Sequence, residues 1–493
     1  MIEADTVCVS MSERLSRHAA GRPIDASSQQ KSKHNGATLK QGIGKNNMTM
    51  NRRLLTLIFI HYSLFSIHHS AAAAPQEQRA TKGSSSPDKP NIILIMADDM
   101  GYECVHANGG TSYQTPQLDK LAETGIRYEH CYSQPLCTPS RVKIMTGKSN
   151  ARNYVSFGVL DRKQTTFAHL LKKAGYATCI VGKWQLGKEA DSPQHFGFDE
   201  SCLWQHTRPA RDQHGRDTRY PNPHVEVNGQ PLDYSDDEYG PDVVTDFLCD
   251  FMERNKDKPF LAYYPMILPH NPFVPTPDSE NPKNKNKAHN FRDMVTYVDK
   301  MVGKLDAKLG ELGIRNNTLL IFTCDNGTNK AISSQLGGKE VQGGKGTMTD
   351  VGTRVPLIIS WPGTITSGQV SQDLVDFSDF LPTLCEAAGA SIPEILSLDG
   401  RSFLPQLRGE QGNPRDSIYC WYSRGGGKGE QWARNQRYKL YPDGKFYDIG
   451  ADPSEKTPLE NLSPEAQQVR TLLQQTLDQY KDARPAKRVP KKK

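Results

Sequence analysis

The chain has 493 residues, of which 36% are hydrophobic and 24% are charged, and its formal net charge is +6. This length suffices for a large domain plus a smaller one, and the composition is typical of a globular protein. Residues 1–74 and 481–493 carry net charges of +5 and +6, so the net charge of the rest of the chain is near −5. That part of the chain lacks the overall positive charge of nucleic-acid-binding domains, and we expect no nucleic-acid partner.

The first 90 residues differ in composition from the rest. Residues 1–47 are polar without an apolar period, and we interpret them as a disordered or untranslated extension. Residues 48–74 combine two arginines, a short apolar run and a run of alanines, the pattern of a cleaved signal peptide. The apolar run is shorter than the roughly 20 residues that span a membrane. We therefore expect no stable membrane insertion, an exported protein (periplasmic or secreted), and a linker at 75–90.

From residue 91 onward, apolar strand segments alternate with helical segments. Strands are predicted at 91–96, 177–181, 260–267, 319–323 and 357–361. Helices are predicted at 115–124, 165–174, 243–254, 291–312 and 374–388, the first capped by Thr115 with Pro116 at its first position. The alternation predicts an α/β fold, a mainly parallel sheet sandwiched by helices. We assign residues 91–395 to this domain.

After residue 395 the pattern changes to short aromatic-rich runs. The runs at 417–422, 432–440 and 445–449 are separated by Gly and Asp turns, which predicts a small antiparallel sheet. A helix is predicted at 463–482. We expect a C-terminal α+β subdomain at 396–480 and a basic tail at 481–493. The tail is either a solvated end or a segment that docks on an anionic polymer.

Polar side chains directly follow several of the predicted strands. In open α/β sheets the ligand crevice lies at the carboxyl ends of the strands, so distant segments would bring these groups to one place. Carboxylate and amide oxygens suit calcium or magnesium rather than zinc or copper. Alternatively, each acidic pair is only a turn or a helix cap. The residues are Asp98 and Asp99, Lys183, His270, and Asp325 and Asn326.

The ten cysteines include no CxxC pair, so no zinc site is indicated. One of them, Cys137, opens the segment CTPSRVKIMTG at 137–147. Pro139 stands where a helix begins, which points N–H groups toward Cys137, and Arg141 lies one turn on. A thiolate nucleophile would be activated there. The segment also resembles, position for position, the sulfatase signature C-x-P-S-R-x-x-x-x-T-G.

The resemblance to sulfatases extends over most of the chain, from residue 91 to about 465. It implies the alkaline-phosphatase-like fold of that family and a sulfuric ester hydrolase that acts on a sulfated carbohydrate or an aryl sulfate. The matching segments are NIILIMADDMGY at 91–102, GYATCIVGKW at 175–184, PHNP at 269–272, CDNG at 324–327, KG at 345–346, GTRVP at 352–356, YD at 447–448 and DPSE at 452–455.

The resemblance also implies a role for each matching site residue. Cys137 would be oxidised to formylglycine by a formylglycine-generating enzyme, and its hydrate would supply the attacking oxygen. Either His270 or Lys345 would protonate the leaving alcohol. Calcium would be held by Asp98, Asp99, Asp325, Asn326 and formylglycine 137. Lys183 and Lys345 would bind sulfate oxygens, Arg141 would steady the hydrate, and His270 would lie near the leaving-group oxygen.

The chain departs from the family pattern at Gln185. The family commonly reads G-K-W-H-L-G where this chain reads GKWQLG at 182–187. That histidine is expected to deprotonate the spare hydroxyl of the hydrate, and glutamine has no useful pKa. Another base would deprotonate the hydroxyl in place of that histidine, and His206 and His169 are weak candidates. Alternatively, sulfate release would be slow or would need no base. Otherwise the protein would be a non-catalytic binder of sulfated glycan. A phosphatase or phosphonate hydrolase of the same superfamily is a further alternative.

Residues 202–237 lie between the catalytic segments and show little secondary-structure signal. The segment is rich in arginine, histidine and tryptophan, and such loops often carry specificity. A solvated polar loop is the alternative. The residues predicted to contact substrate are Gln185, His206, Arg208 and Arg211.

Overall fold

The structure is a computed structural model that describes residues 89–235 and 237–485. The predicted extension, the signal peptide, residues 75–88 of the linker and residues 486–493 of the tail lie outside the described residues. In the described part of the chain, no helix combines the length and apolarity needed to cross a membrane. The described residues belong to one compact unit, and the predicted boundary at 395/396 stays a prediction.

Seventeen strands are present in the described residues, and they form three sheets. In chain order they are β1 (Asn91–Ala97), β2 (Ile126–Tyr132), β3 (Ala177–Lys183), β4 (Glu200–Trp204), β5 (His224–Val227), β6 (Gln230–Asp233), β7 (Phe260–Pro265), β8 (Thr318–Cys324), β9 (Ser333–Leu336), β10 (Lys339–Gln342), β11 (Arg354–Val355), β12 (Leu357–Ser360), β13 (Gln369–Asp376), β14 (Ile418–Tyr422), β15 (Glu430–Arg434), β16 (Tyr438–Leu440) and β17 (Phe446–Asp448).

The largest sheet has eleven strands, and its centre is parallel. Five neighbours in the order β8-β1-β7-β3-β4 all run in the same direction. Every residue of β1 is buried, as expected for a parallel strand covered by helices on both faces. Antiparallel strands extend the sheet, with β5 beyond β4 and β12 beyond β8. The predicted mainly parallel α/β fold is confirmed.

The helices fall between the strands and after the last of them. They are α1 (Pro116–Glu123), α2 (Cys137–Thr146), α3 (Asn150–Asn153), α4 (Phe167–Lys173), α5 (Ser192–His195), α6 (Gly240–Arg254), α7 (Lys287–Glu311), α8 (Asp350–Thr353), α9 (Phe380–Ala388), α10 (Leu404–Leu407) and α11 (Pro464–Gln479), with short 3-10 turns at Tyr102–Cys104, His106–Asn108, Arg315–Asn317, Phe377–Asp379 and Glu394–Leu396.

Two of the predicted elements are wrong in part, and both errors arise from local capping. Residues 374–376 belong to β13, and α9 begins only at Phe380. The Asp376 carboxylate accepts a hydrogen bond from the Ser378 backbone N–H (2.9 Å), which starts a 3-10 turn instead of a longer helix. The run at 432–440 is split between β15 and β16. Asn435 turns the chain there, because its side-chain oxygen accepts from the Tyr438 backbone N–H at 2.6 Å.

The small C-terminal sheet is confirmed as antiparallel, in the order β14-β15-β16-β17, with α11 after it. The segment 202–237 contains more regular structure than its sequence indicates. Residues 202–204 complete β4, and β5 and β6 form an antiparallel hairpin at the edge of the main sheet. Residues 205–223 form a loop that joins β4 to β5.

Helix α1 begins at Pro116 as predicted, but its cap comes from elsewhere. The Thr115 hydroxyl accepts from the His106 backbone N–H (3.0 Å) and does not cap the helix. Asp299 on α7 accepts from the backbone N–H groups of Gln117 and Leu118, at 3.0 and 2.8 Å. A carboxylate from a distant helix thus satisfies two N–H groups that would otherwise lack partners.

We expect Asp299→Ala to lower the free energy of unfolding by about 2 kcal/mol, because two partly buried N–H groups lose their acceptor. Urea unfolding followed by circular dichroism measures the change. Asp478→Ala, an exposed carboxylate on α11, is the matched control, and its effect should stay within about 0.5 kcal/mol. Equal effects for the two variants would contradict the capping role.

Candidate active site

The turns that follow β1 and β8 form the base of the site. The two strands pair in parallel along their whole length, so their carboxyl ends lie side by side. The Asp325 backbone N–H donates to Ala97 O (2.9 Å), and the Asp99 N–H donates to Asp325 Oδ1 (3.2 Å). The Asn326 side-chain amide donates to Asp99 Oδ1 (2.8 Å). Three of the predicted metal ligands are therefore in direct contact, as the rule of carboxyl ends implies.

Positive φ angles at Asp99 and Gly182 help to position the side chains of the site. Asp99 has φ = 69°, in the left-handed region that non-glycine residues seldom adopt. Such a conformation persists only where neighbours hold it, and it is concentrated at functional sites. Gly182 also has positive φ (+100°), and a Cβ there would lie 2.3 Å from Pro265 O. Only glycine allows β3 to pass β7 this closely and to carry Lys183 into the site.

Helix α2 begins at Cys137 itself, two residues before the start predicted at Pro139. The Ser140 hydroxyl donates to Asp325 O at 2.5 Å. The Arg141 guanidinium donates to Asp325 Oδ2 (3.0 Å) and to Lys183 O (2.9 Å). These bonds fix the start of α2 against the ends of β8 and β3. Lys183 Nζ then lies 3.5 Å from Cys137 Sγ.

Three buried carboxylates face three cations around Cys137. Charges of opposite sign attract each other more strongly in a buried site than in water, and this attraction offsets part of the cost of burying them. The same arrangement offers oxygens to a metal and N–H donors to an anion. The pairs are Lys183 Nζ with Asp98 Oδ2 (2.6 Å), Lys345 Nζ with Asp99 Oδ2 (2.6 Å), and Arg141 Nη2 with Asp325 Oδ2 (3.0 Å).

Burial and charge shift the pKa values of these groups in opposite directions. Burial opposes ionisation of Asp98, but Lys183 and the other cations hold the pKa of that carboxyl well below its usual range. Burial and the nearby Asp98 charge raise the pKa of Asp325 above its usual range. Burial also raises the pKa of the Cys137 thiol to about 12. Burial therefore opposes the thiolate that the free-thiolate alternative requires.

The oxygens of the site fit a divalent cation. Asp98 Oδ1 and Asn326 Oδ1 are buried without a hydrogen-bond partner in the structure, an arrangement that proteins seldom leave uncompensated. Ligand atoms of Asp98, Asp99, Cys137 and His270 all lie within 4.8 Å of one another. Hard oxygen donors suit calcium or magnesium. Asp325 lies outside this group of four, and its role as a ligand stays a prediction.

His270 and Lys345 lie on the same side of Asp99. His270 Nε2 is 3.6 Å from Asp99 Oδ2, which also accepts from Lys345. Burial lowers the pKa of His270 to about 4. Burial disfavours the Lys345 ammonium as well, but Asp99, Cys137 and Asp98 together more than offset it, and the pKa of Lys345 lies above its usual value. Of the two predicted acids, Lys345 is the one that is protonated at neutral pH and can transfer its proton.

Gln185 lies beside the start of α2. Its Oε1 accepts from the Thr138 hydroxyl at 3.4 Å, and Thr138 directly follows Cys137. Its backbone, like that of Asp99, is left-handed (φ = 55°). The structure therefore brings this departure from the family pattern close to the nucleophile position. His169, one of the two histidines considered as a replacement base, takes part in the N-terminal capping box of α4.

The other predicted substrate residues contact either their own segment or the loop that follows β3. His206 is buried, and its Nε2 lies 2.8 Å from Glu189 O. Arg208 pairs with Asp233, and Arg211 donates to Gly215 O (2.9 Å). The structure does not connect these three to the carboxylates of the site, and their roles in substrate binding stay predictions.

Sequence reasoning missed two contacts of the site. Arg219 Nη1 lies 2.5 Å from His270 Nδ1, although the sequence presents Arg219 only as one of several arginines in a loop. Near the turn that carries Asp98 and Asp99, the Thr328 hydroxyl donates to Glu103 Oε1 (2.5 Å) and accepts from the Gly101 N–H (2.9 Å). This contact joins the turn after β1 to the turn after β8. The only sequence signal for this contact is that Gly101 and Thr328 lie close to the two acidic pairs along the chain.

Comparisons with known proteins agree with this geometry. The family model described as Sulfatase matches residues 90–390, and the model described as N-sulphoglucosamine sulphohydrolase, C-terminal, matches residues 344–483. Human arylsulfatase A is 32% identical over 68% of this chain and 71% of its own length. Human N-acetylgalactosamine-6-sulfatase is 28% identical over 81% of this chain and 87% of its own length.

A solved structure shows the same fold. Ps i-CgsB, in complex with k-i-k-neocarrahexaose, superposes with a TM-score of 0.69 at 26% identity, over 81% of this chain and 94% of that one. The first family model spans more than half of the chain, and the residues it matches include the acidic pairs, Cys137, Lys183, His270 and Lys345. The chain belongs to the sulfatase family of sulfuric ester hydrolases.

Proposed function

We propose that this protein removes sulfate from a sulfated carbohydrate, using a formylglycine made from Cys137 and a bound calcium ion. The observation that carries the proposal is the set of three carboxylate–cation pairs around Cys137, together with two buried oxygens that have no partner. A divalent cation would bind the carboxylate and amide oxygens of this arrangement, and an anionic ester would bind its cationic side chains.

The residues divide into two groups by charge. Asp98, Asp99, Asp325 and Asn326 would hold the calcium ion, with residue 137 as a further ligand. The ion would supply positive charge next to a sulfate oxygen, and the hydrate of formylglycine 137 would supply the attacking oxygen. Once carboxylates bind the metal, their cation partners are available to the substrate.

The cations would stabilise charge on the transferring sulfuryl group. Lys183 and Lys345 would donate to its oxygens, and Arg141 would keep the start of α2 in place through Asp325 and Lys183 O. Preorganised donors in a buried site contribute more than the same donors in water. As the S–O bond to the leaving group breaks, the electron pair stays on the leaving oxygen, which takes a proton from the Lys345 ammonium.

Two relatives support carbohydrate as the substrate class. The solved structure of Ps i-CgsB contains an oligosaccharide, and the name of the human N-acetylgalactosamine-6-sulfatase specifies an amino sugar. We propose that Gln185, His206, Arg208 and Arg211 belong to the substrate side of the site. We further propose that the protein is exported, periplasmic or secreted, and that a formylglycine-generating enzyme matures it.

The test is an assay of the calcium-loaded protein, co-expressed with a formylglycine-generating enzyme from about Ala74. Mass spectrometry of the peptide that contains residue 137 verifies the aldehyde. Free sulfate is then measured from a panel of sulfated sugars and one aryl sulfate, with a phosphate ester and a phosphonate ester alongside. Release of sulfate in excess of phosphate is the expected result. A preparation that carries the aldehyde and prefers the phosphorus esters would contradict the proposal.

Gln185 leads to a separate prediction about the release of sulfate. Since glutamine cannot accept the proton of the spare hydroxyl, we expect release to limit turnover. Gln185→His should then raise kcat by about 10-fold or more and leave calcium-dependent stabilisation unchanged. Gln185→Asn, which shortens the side chain without adding a base, is the matched control and should not raise kcat. A histidine variant slower than wild type would count against this account.

A further inference from the structure

The loop between the first two strands of the C-terminal sheet lies against a segment of the catalytic part of the chain. This loop, residues 423–429, joins β14 to β15 and is called the β14–β15 loop below. Its Arg424 O accepts hydrogen bonds from the Phe157 N–H and from the Tyr154 hydroxyl, both at 3.2 Å. The backbone of the loop is therefore fixed to the segment at 154–158.

A glycine and a second arginine tighten this contact. Gly426 has φ = +70°, and a Cβ there would lie 2.0 Å from Val155 O, so only glycine allows the two segments to approach this closely. Arg484 donates to Tyr154 O (2.7 Å) on one segment and to Gly426 O (2.9 Å) on the other. The loop is thus held at two of its seven residues, and its position is set by backbone contacts.

The segment at 154–158 also reaches the nucleophile position. The Gly158 N–H donates to Thr138 Oγ1 at 3.1 Å, and Thr138 directly follows Cys137. Burial raises the pKa of the Tyr154 hydroxyl, Arg424 lowers it, and a negative charge at Cys137 raises it further. Both groups therefore lie within electrostatic range of this hydroxyl. The β14–β15 loop lies at the edge of the site, one segment away from Cys137.

The β14–β15 loop reads SRGGGKG, with two positive charges at Arg424 and Lys428 and no negative charge. In the part of the chain that the structure describes, the exposed Arg424 guanidinium pairs with no carboxylate, and its Cζ lies 5.5 Å from the centroid of the Phe157 ring. A Cβ at Gly425 would meet no described atom within 4 Å apart from its chain neighbours, so the space beside Arg424 is open. The guanidinium N–H groups are therefore available to an anion.

We propose that Arg424 is a specificity-determining residue that binds a second anionic group of the sugar substrate, a sulfate or a carboxylate. This rests on the proposed function. A guanidinium matches the oxygens of either anion with parallel N–H donors. Lys183 and Lys345 would bind the sulfate that is removed, and Arg424 adds a favourable contact only when the substrate carries a further negative charge.

The first measurement is a binding experiment that needs no turnover. Isothermal titration of the calcium-loaded Cys137→Ala protein gives Kd for a monosulfated amino sugar, for its isomers with a second sulfate, and for the same sugar linked to a uronic acid. We expect one class of doubly charged sugar to bind more tightly than the monosulfated sugar, and that class identifies the anion as sulfate or carboxylate. Equal affinities, or no binding by any of them, would overturn the proposal.

The decisive variant is Arg424→Gln in the same Cys137→Ala background. Because Arg424 is exposed, we expect a loss of about fivefold in affinity for the preferred sugar and less than about twofold for the monosulfated sugar. Arg424→Lys keeps the charge without the planar donors and should recover part of the loss. An equal change for all of the sugars would mean that Arg424 is an ordinary surface charge, and would overturn the proposal.

Kinetics of the protein that carries formylglycine give the second test. Arg424→Gln should raise KM for the doubly charged sugar about fivefold and leave kcat unchanged. Arg408→Gln, which removes an exposed arginine at the end of α10, is the matched control and should leave the ratio of the two KM values unchanged. The same shift in both variants would reflect net charge alone and would contradict the proposal. If the wild type releases no sulfate, the proposed function fails, and the binding experiment still decides the role of Arg424.

Discussion

Replacing Cys137 with alanine should abolish sulfate release. Without a side chain that can be oxidised, residue 137 has no oxygen to attack the ester, while the cation pairs around it persist. Loss of a covalent nucleophile typically costs about 10⁴-fold or more in kcat. The assay is free sulfate from the best substrate of the panel, with calcium present. Because the thiol is small, we expect the midpoint of thermal unfolding to stay within about 3 °C of the wild type.

A matched control separates this effect from the loss of a buried cysteine. Cys385 is buried in α9, and Cys385→Ala makes the same change in volume. Its stability should fall by about 1 kcal/mol, with activity retained. If Cys137→Ala keeps more than about a tenth of the wild-type rate, formylglycine chemistry at residue 137 is wrong.

Replacing Asp98 with asparagine should remove the response of the protein to calcium. The substitution keeps the shape of the side chain but deletes one ligand charge, and it also leaves Lys183 without its partner at 2.6 Å. Calcium at 100 times its Kd should stabilise the wild type by about 2.7 kcal/mol, and we expect no such shift for Asp98→Asn. We expect kcat to fall at least about 10²-fold.

Asp191→Asn serves as the control for this experiment, because Asp191 is an exposed carboxylate paired with Arg162. It should keep both the calcium response and the activity. Thermal unfolding with and without calcium, after treatment with a chelator, gives the comparison. A full calcium shift in Asp98→Asn would remove Asp98 from the ligand set and would leave the two unpartnered oxygens without an explanation.

The sequence was sufficient to predict the centre of the fold. The buried parallel strands are short apolar runs followed by polar residues, and a strand covered on both faces requires that pattern. Errors occurred where a single polar side chain decided the local structure. Asp376 ends a strand and starts a turn, and Asn435 divides one aromatic run into two strands. Such effects depend on side-chain geometry that periodicity does not contain.

In the site, too, local sequence predicted some features and side-chain geometry decided others. Local sequence placed Asp98, Lys183, His270 and Asp325 directly after strands, and the signature at 137–147 identified the nucleophile segment. Which cation pairs with which carboxylate was not visible, because each pair joins residues at least 85 positions apart in the sequence. The burial of Cys137 was likewise not visible in the sequence: a helix start favours the thiolate, whereas burial raises the pKa of the thiol.

The sequence by itself determined the family, the sheet and the residues that carry the chemistry, because hydrophobic periodicity and an unbroken motif are local properties. Only the tertiary structure decided that Asp299 caps α1, that Gln185 lies next to Thr138, and that Arg219 contacts His270. Each of these contacts joins residues brought together by chain crossovers. Their partners are set by distances in space, and no spacing along the chain records those distances.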